Sequence, residues 1–200
     1  MRSGLFALPV LLALAAMPSA QADDGAVKPP AAVSDQVQSP GKAMMDELFQ
    51  RLASTKDPEE AQGIATVIQR MWLKSGSDTA DLLMQRAVAA GNAGADDLAL
   101  TLMTRVTDLQ PDWAEAWNQL ANLQFKMGNE DDAVRDLAHV LALEPRHFEA
   151  LVSLGGILQS EGDDKGALEA YRAVLKLYPS EPQVKKLVDK LAVEIDGRSL

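Results

Sequence analysis

The sequence predicts an all-α fold, a right-handed α-solenoid of helix-turn-helix units closed by a C-terminal capping helix, and two patterns predict it. Pro111, Pro145 and Pro179 stand 34 residues apart, and Gly94, Gly128 and Gly162 keep the same step without insertion or deletion. Apolar positions repeat at that interval too: Ala99, Ala133 and Ala167; Val106, Val140 and Val174; Leu109, Leu143 and Leu177. A period of this length with apolar residues at helical spacing means one supersecondary unit stacked on itself. The product of such stacking is a surface rather than a reaction centre.

The elements follow in order. Met1-Arg2 gives a short positive region, Gly4 to Met17 an apolar run, and Ala20-Gln21-Ala22 small residues at a cut site. The run of about 14 residues is short of the roughly 20 that a membrane-spanning helix needs, so residues 1–22 read as a secretory signal cleaved after Ala22. The mature chain is then expected in the periplasm or outside the cell, with no stable membrane insertion. Losing Arg2 takes the formal net charge from -10 to -11. Nucleic acid is a poor partner for such a chain, because phosphate binding needs clustered cations and Lys185-Lys186 is the densest basic pair. The absence of cysteine excludes disulfides, thiolate metal sites and a cysteine nucleophile.

Residues 23–42 carry Pro29, Pro30 and Pro40 and no apolar periodicity, as a disordered tether would. Residues 43–76 read as a degenerate helical hairpin: Met45, Leu48, Phe49 and Leu52 share one face, and Ile64, Val67, Ile68 and Met71 another. Ser75-Gly76-Ser77 breaks it, with Ser77 placed to cap the next helix. Residues 77–181 hold three regular units, 80–113, 114–147 and 148–181, each divided at its glycine, which can supply the left-handed residue that ends a helix. Asp96, Asp131 and Asp164 then sit at the positive end of the second helices. Residues 182–196 form the cap, with Val184, Leu187, Val188, Leu191 and Ile195 on one face and lysines on the other.

The middle unit, with Trp117, Leu120, Ala121, Ala133 and Pro145, resembles a tetratricopeptide repeat. The third unit resembles it through Leu151, Leu154, Gly155, Ala167, Tyr171 and Pro179, and the first through Leu83, Ala87, Ala99 and Pro111, with Arg86 where leucine belongs. The whole arrangement, from signal through Trp72-Leu73-Lys74 to Asp81-Leu82-Leu83, looks similar to small secreted repeat proteins of alphaproteobacteria. The small residues allow close helix approach, at the short end of about 8 to 10 Å. Trp117 is expected to fill the space between neighbouring units.

The resemblance implies a concave groove lined by first helices. By the family pattern its partner-binding candidates are Met84, Asn92, Asn118, Asn122, Phe125, Lys126, Val152 and Gln159, with Val88, Glu115 and Gly156 on the same face. One branch of the family clamps a partner's C-terminal carboxylate. Asn122 matches its asparagine, but Asn118, Glu149 and Ser153 stand where basic residues belong, so the clamp is rejected. His139 and His147 are read as surface or structural, with no triad setting. Asp163-Asp164 and Glu130-Asp131-Asp132 lack the ligand alternation of a calcium loop, and Gly91 to Gly94 lacks the ending of a phosphate loop. Trp113 is either an interface anchor or an apolar staple before the Trp117 helix. The reading is a non-catalytic periplasmic interaction module without metal or cofactor, binding a protein or peptide in its groove, in the service of envelope assembly. The alternative is a scaffold that self-assembles through its ends.

Overall fold

The computed structural model describes residues 40–198, and among them all regular structure is helical. The expected signal, 1–22, and the tether as far as residue 39 lie outside the described residues. Helix α1 (Pro40–Ser54) corrects the tether boundary, because Pro40, Gly41 and Lys42 already belong to the helix. Proline is tolerated there since its missing N–H would have no intrahelical acceptor. Helix α2 (Pro58–Trp72) follows, capped by Asp57, whose carboxylate accepts the Glu59 N–H at 2.9 Å.

The regular units are α3 (Asp78–Asn92) with α4 (Asp96–Leu109), α5 (Ala114–Lys126) with α6 (Glu130–Leu143), and α7 (Phe148–Ser160) with α8 (Asp164–Leu177). Ser77 caps α3 by accepting the Ala80 N–H. Each unit turns at a glycine of positive φ: Gly94 at 78°, Gly128 at 82° and Gly162 at 83°. The next residue's N–H then reaches back five positions, Ala95 to Ala90 O at 2.9 Å, Asn129 to Gln124 O at 2.9 Å and Asp163 to Leu158 O at 2.8 Å. This closure needs a left-handed residue, which glycine adopts without the Cβ clash that penalises others. Helix α9 (Pro182–Arg198) caps the array and runs two residues beyond the expected 196.

Inside the units, volumes compensate across the helix pair. Ala87 meets Met103 in one core cluster and Ala121 meets Leu137 in the next. At the equivalent place in the third unit Gly155 faces Tyr171, and a Cβ on Gly155 would sit 2.6 Å from the tyrosine ring. Trp117 is half-buried and packs against the clusters on both sides of its helix, with its Nε1–H donating to Pro111 O at 2.9 Å. Trp113 is buried with Met84, Val106 and Ala116, which makes it a packing residue rather than an exposed anchor. Arg86 is exposed, and α3 packs through Ala80, Met84, Ala87 and Ala90 instead. The periodic Leu109 and Leu143 also face outward in part.

The leading hairpin packs where no repeat register places it. It is not stacked in front of α3 as one more unit. Phe49, Leu52, Ile64, Ile68 and Trp72 share a core with Phe148, Tyr171 and Tyr178 of the third unit and with Val184 and Leu191 of the cap. Arg146, in the turn before α7, bonds Asp46 at 2.7 Å and lies 4.4 Å from the centre of the Phe49 ring. The physical reason is the hairpin's side chains: Phe49 and Trp72 are large aromatics that would overpack the small-residue seam between regular units. They find room against Phe148 and the ring of His147.

Candidate functional site

Helices α5 and α7 place Asn118, Asn122, Val152 and Ser153 on the floor of a recess of about 400 Å³. Gln69 of α2 and Leu187 of α9 form its walls. Ser153 donates its hydroxyl to Asn122 Oδ1 at 2.9 Å, a bond that fixes the register of two neighbouring units. A second recess of about 600 Å³ gathers Met84, Val88 and Asn92 from α3 with Arg70, Leu73 and Lys74 from the end of the hairpin. Helix α2 therefore borders both halves of the groove.

The eight groove candidates divide by what the fold does with them. Asn92 and Asn122 are exposed, while Val152 and Gln159 are half-buried. Phe125 is 40% exposed and lines neither of these two recesses. Lys126 is committed within the array, donating to Asp96 Oδ1 at 2.6 Å and to Gly91 O at 3.0 Å. Met84 and Asn118 depart from the expected groove exposure. Met84 is a core residue, and Asn118 is 1% exposed at the bottom of its recess. The docked hairpin explains Asn118, since Gln69 lies across the same recess.

Beside that recess is a buried polar cluster. His147 caps α7: the Ala150 N–H donates to its Nδ1 at 3.3 Å. Its Nε2 therefore carries the hydrogen and donates to Glu115 Oε2 at 3.1 Å. Glu115 also accepts from Asn118 Nδ2 at 3.2 Å and from Gln119 Nε2 at 2.5 Å. Glu149, in the first turn of α7, accepts from Gln69 Nε2 at 2.8 Å. The indole of Trp72 stacks on the His147 ring with centroids 4.0 Å apart, and Trp113 donates its Nε1–H to Trp72 O at 2.6 Å. Burial and the neighbouring Glu115 charge push the Glu149 carboxyl above its ordinary value, against the pull of His147 and Gln69.

Glu115, His147 and Glu149 offer ligand-type atoms within 4.8 Å of one another. The ring, however, uses Nδ1 as a cap acceptor and Nε2–H as a donor, so a neutral imidazole has no lone pair left for an ion. The trio fits a hydrogen-bond network that ties the hairpin to two units. In the sequence these residues stand apart, His147 surface or structural, Glu115 on the groove face and Glu149 at a missing clamp position. A signal is present: Asp81, Glu115 and Glu149 are 34 residues apart, an acid in the first turn of the first helix of each regular unit. Asp81 spends its charge on Ser75, accepting from its N–H at 2.9 Å and its hydroxyl at 2.7 Å.

A family profile described as tetratricopeptide repeat matches residues 118–182. A TPR repeat-containing protein of Rhizobium etli is 39% identical over 156 residues, 78% of this chain and 76% of that protein. The chain belongs to the tetratricopeptide repeat family. Solved tetratricopeptide structures agree in fold. The first such domain of Spaghetti (RPAP3), bound to an HSP90 peptide, superposes with a TM-score of 0.55 at 20% identity, over 58% of this chain and 93% of that one. The Yersinia enterocolitica type III secretion chaperone SycD, in complex with a peptide of the translocator YopD, gives 0.56 at 15% identity, over 59% and 95%.

Within the tetratricopeptide frame, the groove of this chain has its own chemistry. Where a carboxylate clamp would place cations, Ser153 bonds Asn122 and Glu149 bonds Gln69. The floor is thus carboxylate, carboxamide and apolar. Groove-facing residues beyond the family pattern, Gln69 above all, come from the hairpin, where no repeat register could place them.

Proposed function

We propose that this tetratricopeptide protein is a non-catalytic interaction module that holds a segment of a protein partner in the groove between α2, α5, α7 and α9. The observation that carries the reading is the recess of about 400 Å³ at their confluence, where exposed Asn122 and half-buried Val152 lie beside the carboxylate of Glu149. Apolar surface for affinity with a few fixed polar groups for orientation is what a peptide site requires. The structural relatives bound to peptides of HSP90 and of YopD support a peptide as occupant. The cell compartment in this reading is the periplasm, on the strength of the signal pattern in residues 1–22, and the process is envelope assembly.

The test places a photo-crosslinking residue at Asn122 in one variant and at Arg172, exposed on α8, in another, and exposes each in cells. Capture from position 122 alone, followed by binding of the captured partner's peptide that Val152→Glu weakens, is the expected result. Equal capture from both positions would move the site off the groove. Recovery of the mature protein in the cytoplasmic fraction would remove the periplasmic assignment.

A further inference from the structure

We propose that the recess floored by Asn118 and Glu149 is a specificity pocket for a cationic side chain, lysine or arginine, of the protein partner. The inference rests on the groove-binding reading and adds the chemistry of the partner. Asn118 is the first observation. It is 1% exposed, its Nδ2 is committed to Glu115, and its Oδ1 is a buried acceptor without a partner among the described residues. A buried oxygen left unpaired is costly, and Asn118 lines the same recess.

Glu149 is the second. Its carboxylate lines the same recess and accepts one hydrogen bond, from the uncharged amide of Gln69. A carboxylate has lone pairs for several donors, so capacity remains. Among the described residues the donors to Glu115 and Glu149 are an imidazole and three carboxamides, none with a fixed positive charge. An incoming ammonium or guanidinium supplies both the missing donor for Asn118 and the missing countercharge for Glu149. Val152 and Leu187 supply apolar walls along which the aliphatic stem of such a side chain can lie. An anionic side chain or C-terminus would meet Glu149 and Glu181 instead.

The experiment selects binders to the full chain from a displayed random-peptide library and measures the enriched peptide against wild type, Glu149→Gln and the remote Asp131→Asn. The expected result is a lysine or arginine fixed at one position, with affinity falling about tenfold or more in Glu149→Gln and unchanged in Asp131→Asn. Replacing that lysine or arginine by norleucine should cost wild type a similar factor and cost Glu149→Gln little, a coupling that a general loss of stability does not produce. Because norleucine substitution alters only the peptide, the comparison on wild type stands even where the protein variant folds poorly. Binders without a conserved basic position, or a norleucine effect equal in both proteins, would overturn the pocket and leave groove binding intact. Failure to enrich any binder would overturn both.

Discussion

The hairpin α1–α2 and the hairpin α5–α6 are built from helices of similar length, 15 and 15 residues against 13 and 14, yet different physics holds them. The regular hairpin turns on Gly128 and buries Ala121 and Ala133 in a seam of small residues, where close helix approach makes dispersion contacts dense. Its neighbours in space are its neighbours in sequence. The leading hairpin turns through Thr55-Lys56-Asp57 and buries Phe49 and Trp72 against partners that lie about a hundred residues further on, such as Phe148. Repeat stacking is local and periodic, whereas this docking is a one-off fit between unlike surfaces. That fit makes the hairpin a wall of the groove rather than an extension of it.

The sharpest way to break the comparison is to remove the anchor of each hairpin. Trp72→Ala empties a buried site stacked on His147 and should cost about 3 to 5 kcal/mol. Trp117→Ala, at a half-buried site between units, should cost less, about 3 kcal/mol at most. Chemical denaturation of both variants measures this, and a larger loss at Trp117 would show that the hairpin is an accessory and the seam the main support.

The third unit can be tested at the place where its volumes are least forgiving. Gly155→Ala puts a Cβ against the Tyr171 ring and should cost about 1 to 3 kcal/mol, most of it recovered in a Gly155→Ala, Tyr171→Leu double variant that copies the second unit. Additive losses in that cycle would mean that the pair does not compensate.

On α6, burial and the charge of Asp132 push Asp136 up to about 6, and its Oδ2 has no partner among the described residues. A carboxyl raised in the folded state binds its proton more tightly there than in the unfolded chain. Its contribution is therefore full at pH below the ordinary 3.8 and is lost as the pH rises through about 6. Asp136→Asn should stabilise by about 1 to 3 kcal/mol at neutral pH, with the gain fading toward pH 4. Thermal melts across that range decide it, and a gain independent of pH would assign the effect to packing. The smallest change is expected at the inter-unit latch: Lys126→Ala removes a largely exposed ion pair to Asp96 and should alter stability by less than about 1 kcal/mol.

How far the sequence reaches can be followed residue by residue. Gly94, Gly128 and Gly162 announced their turns because only a left-handed residue closes a helix that way, a constraint that acts within five residues. Ser77 was legible as a cap for the same reason. The repeat register places Asn122 and Val152 on the face that lines the recess between α5 and α7. It also places Asn118 and Met84 on the groove face, but their burial depends on what covers them, and the register is silent on that. His147 needed Glu115, 32 residues earlier, and Trp72 before its role as a cap within a network could be read.

The sequence by itself determined the units and their turns, because both follow from short-range backbone chemistry repeated at a fixed step. Only the tertiary structure decided where α1–α2 rests, that Asn118 Oδ1 is left without a donor among the described residues, and that Glu149 lines the recess beside it. Those outcomes depend on shape complementarity and desolvation between segments far apart in the chain, and no periodicity encodes them.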